Sequence, residues 1–226
     1  MTPPVIALDA VHHIGDMDPS SKRTGSYEGA GLSVSVHPGA WRVIGRGMVG
    51  GACWTMRREG ARFLDAHAMK RAMRRSVLDW GVGNGLCVVT PLWRFSHYDD
   101  ELECRVSQTF PTLAEAKEES WDGDLGRVRR VTGHASTPSL DAASMQPTPS
   151  HGDDAVLDLL LPLWAHAVHG LDGVWWEDRL DVLTHSAPRG VIVAEMVSAW
   201  SAERLDRDPP DDGSDEWDED ESDGHD

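Results

Sequence analysis

Apolar and polar residues alternate in several short runs along this chain, and each run predicts a strand with one buried face. Val5 to Ile14, "VIALDAVHHI", opens as a strand that breaks near Asp9. Leu32, Val34 and Val36 alternate with Ser33, Ser35 and His37. Ala52 to Arg58 is extended, and Phe63 and Leu64 close another strand. Leu86 to Thr90 and the alternating Leu102, Cys104 and Val106 follow. "DGVWW", Asp172 to Trp176, and "GVIVAEM", Gly190 to Met196, supply the last two strands. Trp175 and Trp176 are neighbours in a strand, so they point to opposite faces: one belongs to the core, the other to the surface or a cleft.

Helical spacing interrupts this pattern. Leu64, Ala68, Met69, Ala72, Met73 and Val77 recur every three or four residues, predicting a helix from Asp65 that Gly81 stops. Lys70, Arg71, Arg74 and Arg75 lie on its other, solvated face. Pro38 suits the first turn of a short helix ended by Gly45 or Gly47, Leu113 to Ser120 forms an acidic helix, and Ala155 to Val168 forms an apolar one that Pro162 kinks or restarts. "HASTPSLDAASMQPTPSHGDD", residues 134–154, is rich in Ser, Pro and Ala and predicts a long loop or insertion. Strands outnumber helices in mixed order. The expected class is α+β, with a mixed or antiparallel split sheet and a few flanking helices.

Charge divides the chain in two. The 226 residues carry a net charge of −17, and residues 206–226 hold twelve acidic side chains against one arginine. Such a segment repels itself and buries nothing, so it predicts a disordered acidic tail after one α+β domain over residues 1–205. The tail solubilises the chain, mimics nucleic acid, or engages a basic protein partner. The chain as a whole carries no basic nucleic-acid footprint. No apolar run reaches membrane-spanning length and no secretory leader is evident at residues 1–10. Cys53, Cys87 and Cys104 are widely spaced with no CxxC pair, which fits free thiols in a reducing cytoplasm. The Ala-, Arg- and Asp-rich composition suits a high-GC bacterium or its phage.

Familiar signatures fail on context. "GRGMVG", Gly45 to Gly50, matches the dinucleotide glycine pattern, yet an expected helix precedes it and an extended stretch follows, the reverse of the required order. The eleven histidines include no H-E-x-x-H, and His166 and His169 lack a nearby carboxylate, so no metal site is expected. G-x-S-x-G is absent.

Three separated stretches together resemble the ADP-ribosyltransferase superfamily, in its phage and bacterial toxin branches. "VHHIG", Val11 to Gly15, places histidines at the end of the first strand. "GAGLSVSVHP", Gly29 to Pro38, is a glycine turn followed by a hydroxyl-bearing strand, and "GLDGVWW" with "SAPRGVIVAEMVSAW" is a late strand, a loop and a final strand. The resemblance spans about residues 5–200 and implies a nucleotide ligand, NAD, whose nicotinamide–ribose bond breaks through a cation-like ribose that a carboxylate stabilises. It implies a catalytic role for His13, which shares its strand face with Val11, and for Glu177 or Glu195. His12, on the opposite face, Tyr27, Gly31, Ser33, Ser35 and Arg189 would line the ligand, with Glu28 at the pocket mouth. The family's carboxylate position at the start of the final strand holds Pro188, Arg189 and Gly190 here. That departure keeps a second reading open, a catalytically inactive binding protein on the same scaffold. A third is a small hydrolase using His13 with Glu28 or Asp65.

Overall fold

The computed structural model describes residues 2–18, 31–38, 52–99, 103–120, 127–176 and 189–205. The break near Asp9 falls between β1 (Val5–Ala7) and β2 (Ala10–Ile14). These two strands run antiparallel to β5 (Arg62–Asp65) and β4 (Cys53–Arg57), so one bent pair crosses from one sheet into another. At the bend Arg58 N donates to Asp9 O, Leu8 N to Ala61 O and Gly60 N to Asp9 Oδ1. β9 (Gly173–Trp176) pairs parallel to β5, β10 (Arg189–Ile192) pairs antiparallel to β9, and β3 (Leu32–Val34) pairs antiparallel to β10. A single bridge between His12 and Ser35 then returns β3 to β2. β11 (Ser201–Leu205) covers the other edge of β4.

The strands therefore trace a closed circuit, and alternation sorts their side chains into two cores. Val11, Leu32, Val34, Met56, Phe63, Trp175 and Ile192 come from each strand of the circuit and pack together inside it. Leu64, Val174 and Val191 point the other way, into a second core under two helices. Strands buried on both faces explain the apolar runs at Phe63–Leu64 and Val191–Ile192, which lack strict alternation.

The helical layer is α1 (Arg71–Gly83) and a long helix, Asp153–His169. α1 buries Met73, Val77, Leu78 and Gly81 and exposes Arg71, Arg74 and Arg75. It starts later than the periodicity predicts. Ala66 N is still bonded to Trp175 O and Ala68 N to Asp65 Oδ1, so the chain turns before Lys70 O accepts the first helical bond. Gly81 does not stop the helix. It admits Leu160, whose Cδ1 would lie 2.6 Å from a Cβ there.

A third sheet is antiparallel: β6 (Cys87–Asp99) lies between β7 (Cys104–Phe110) and β8 (Arg127–Ser136). β6 runs well beyond the short strand expected at residues 86–90. Pro91 is tolerated because β7 ends opposite Trp93, leaving residue 91 a partner on the β8 side alone. α2 (Leu113–Glu118) begins at a capping box between Thr112 and Glu115. Residues 134–154 are not one long loop. They finish β8, form α3 (Pro138–Ala143), and enter α4, the helix from Asp153. The remainder is tied down by Ser136 N to Ser150 O, Ser150 N to Ser136 Oγ and Gly152 N to His134 O. α4 continues through Pro162 and buries eight of its side chains, ending at Gly170 with φ +59°, whose N–H bonds to His166 O as in an αL cap.

The protein is α+β, with three mixed or antiparallel sheets and few helices among the described residues. Residues 39–51 and 206–226, on which the predicted short helix and the acidic tail fall, lie outside the described residues.

Candidate functional site

Register places directly opposed side chains on one face of a sheet, so the pairings decide which candidates meet. Glu203 opposes Thr55, Thr55 opposes His12, His12 bridges Ser35, and Arg189 opposes Trp176. Gly190 pairs with Val34, which brings Arg189 level with Ser35. The result is one polar row across six strands: Glu203, Thr55, His12, Ser35, Arg189, Trp176. Ser33 opposes Val191 and follows on the same face, which at Val191 lies under the helices. His37 and Arg57 flank His12.

β2 places His12 and His13 on opposite faces, with His12 on the row and His13 off it. His13 points inward with Val11 and is 8% exposed. Its Nδ1 lies 2.7 Å from Ser33 O and its Nε2 3.0 Å from Asp16 O. A carbonyl oxygen only accepts, so a neutral imidazole satisfies one of these contacts and an imidazolium both. His13 is a buried tie between β2, β3 and the turn after β2, and it does not line an outer cleft. His12 is half-buried and contacts Thr55 Oγ1 at 3.3 Å. Its pKa is lowered, first by burial and then by the charges of Arg57 and His37. Near neutral pH it is an uncharged imidazole, able to accept or relay a proton.

Arg189 is half-buried, and burial lowers its pKa to about 10, leaving it charged near neutral pH. A guanidinium matches a phosphate or carboxylate through paired N–H bonds. Trp176 beside it is half-buried and packs against the core under the helices, while Trp175 fills the inner core. Ser35 is fully buried, and its Oγ accepts from His37 N at 3.1 Å, which orients His37 beside the row.

Other predicted positions fall elsewhere. Gly31 has φ +141°, and a Cβ there would sit 2.5 Å from Ile192 O. Its bareness lets the chain press against β10 and provides no ligand surface. Glu195 is not in the final strand. β10 ends at Ile192, Val193 N bonds to Asp172 O, and Glu195 stands exposed on a 3-10 helix, Ala194–Ala199. Asp65 accepts from Ala68 N in the turn before α1. Tyr27, Glu28 and Glu177 lie outside the described residues.

Thr55, Glu203 and Arg57 were invisible to motif reasoning, because their place in the row depends on cross-strand register. Among the described residues, no group of three His, Cys, Asp or Glu side chains is arranged to hold a metal ion. No helix among them is long and apolar enough to cross a membrane. No family model, curated protein or solved structure matches the chain.

Proposed function

We propose that this chain is an ADP-ribosyltransferase-like protein that binds NAD, or a nucleotide closely related to it, on the polar row. The observation that carries the reading is the shared face of His12, Ser33, Ser35 and Arg189, residues from three separate sequence stretches. Each residue type fits a part of a dinucleotide. Arg189 would take the pyrophosphate, and His12 with the Ser33 hydroxyl would bond ribose oxygens. Once bound, NAD would supply a glycosidic bond whose cleavage develops positive charge on the ribose, and a carboxylate nearby would stabilise it. Glu203 is the carboxylate of the row, two strand spacings from His12, or about 10 Å.

Calorimetry of the chain with NAD, alongside a nicotinamide-release assay, tests the reading. Saturable binding with release supports the transferase. No heat at millimolar NAD would sink the proposal. The exposed placement of Glu195 favours a second reading, a nucleotide-binding protein without transfer activity on the same scaffold. Saturable binding without nicotinamide release selects it.

A further inference from the structure

The third sheet carries a charge pattern unlike the rest of this acidic chain. On one face of β6, Tyr98 opposes Arg105, Ser96 lies between Ser107 and Arg127, and Arg94 lies between Thr109 and Arg129. Four arginines thus share one face of three strands, and no acidic side chain stands among them at the described strand positions. None of the four has an ion pair or hydrogen bond among the described residues. Arg105, Arg127 and Arg129 are exposed, while Arg94 is half-buried with its Nε buried and unbonded. Asp153, packed against Gly133 of the same sheet, is occupied by His134, whose Nδ1 lies 2.9 Å from its Oδ1.

This arrangement costs stability as it stands. Directly opposed like charges such as Arg94 and Arg129 repel, and a buried N–H without an acceptor adds a desolvation penalty. An extended polyanion laid across the strands relieves both. Residues 206–226 are a polyanionic segment, with a net charge of −11. They follow directly on Leu205, the last residue of β11. Twenty-one residues span up to about 70 Å when extended, against a radius of gyration of about 17 Å for a domain of this size. The segment reaches the sheet wherever β11 lies. Covalent linkage holds it near the face at an effective concentration on the order of millimolar, which no free polyanion in dilute solution matches. Trp217, in the middle of the segment, adds an aromatic face suited to arginine.

We propose that the acidic segment 206–226 docks on the arginine face of β6, β7 and β8 and shields it from other polyanions. The docking is electrostatic and salt-sensitive, and it is independent of the polar row.

Cys104, next to Arg105 in β7, is the exposed cysteine, while Cys53 and Cys87 are buried. A nitroxide attached to Cys104 of the full chain therefore reports on the segment through broadening of its amide resonances. The expected result is loss of more than half the peak intensity across residues 206–226 at low salt. Intensity returns in the triple variant Arg105→Gln, Arg127→Gln, Arg129→Gln, and also at about 0.5 M salt, where screening shortens to about 4 Å. A second arm titrates a single-stranded oligonucleotide into the full chain and into a variant with the twelve carboxylates of residues 206–226 replaced by amides. Affinity is expected to rise on the order of tenfold in that variant. Undiminished segment resonances in the labelled protein overturn the proposal. Equal oligonucleotide binding by both chains would then make the face a nucleic-acid site, and no binding by either would make it an inert surface.

Discussion

Replacing His12 and His13 separately by alanine separates the two faces of β2. His13 is buried, with ring contacts to Ser33 O and Asp16 O at 2.7 and 3.0 Å. His13→Ala removes packed ring volume inside the strand circuit and strips buried carbonyls of a donor. The two losses together cost about 2–4 kcal/mol. His12 is half-buried with one longer contact, to Thr55 at 3.3 Å, so His12→Ala costs less than about 1 kcal/mol. For a chain of this size about 2–4 °C of melting temperature accompanies each kcal/mol. Differential scanning calorimetry should then show a drop of about 5–15 °C for His13→Ala and about 0–4 °C for His12→Ala. Equal drops, or a larger one for His12→Ala, would refute the assignment of inward and outward faces.

Three further outcomes follow from the same packing. Gly173→Ala would place a Cβ 2.1 Å from Val191 O and 2.5 Å from the Phe63 ring. Neither the ladder carbonyl nor the enclosed ring can move away, so urea unfolding should show a loss of about 3 kcal/mol or more. Asp172 is buried, pairs with Arg58 and accepts from Arg62 N at 2.7 Å. Asp172→Ala should cost about 2–4 kcal/mol in urea unfolding, and Asp172→Asn less, because its amide oxygen still accepts from Arg62 N. Lastly, His12 has a folded pKa below its unfolded value of 6.5. The unfolded chain therefore binds more protons below that pH, and stability falls as pH drops from 6.5 toward the lower folded pKa. This contribution is no steeper than about 1.4 kcal/mol per pH unit. Urea unfolding from pH 7.5 to pH 5 should lose it in His12→Gln.

Much of the circuit was legible in local pattern. The break near Asp9, the alternation at Leu32–Val34 and the opposed faces of Trp175 and Trp176 all follow from a period of two, and the structure has them. What alternation does not supply is which face is inside. Both β2 histidines sit beside apolar neighbours, Val11 and Ile14. Val11 marked the core and not a cleft, so sharing its face buried His13. The start of α1 was misplaced because Ala66 remains tied to Trp175, a contact more than a hundred residues away in sequence. Composition misled at residues 134–154, where Pro138 opens a short helix and Ser136 ties Ser150 beside it instead of loosening the chain. The polar row was half legible: its serines, His12 and Arg189 stood out as residue types. Thr55 and Glu203 join it only through the register of β4 with β2 and β11.

The most direct test of the outward polar row is NMR of the histidine ring protons during an NAD titration. Signals are assigned through His12→Gln and His13→Gln. The account predicts that the His12 resonances shift progressively and saturate, while those of His13, on the opposite face, stay in place. Movement of His13 with a stationary His12, or no movement of either at millimolar NAD, would contradict it.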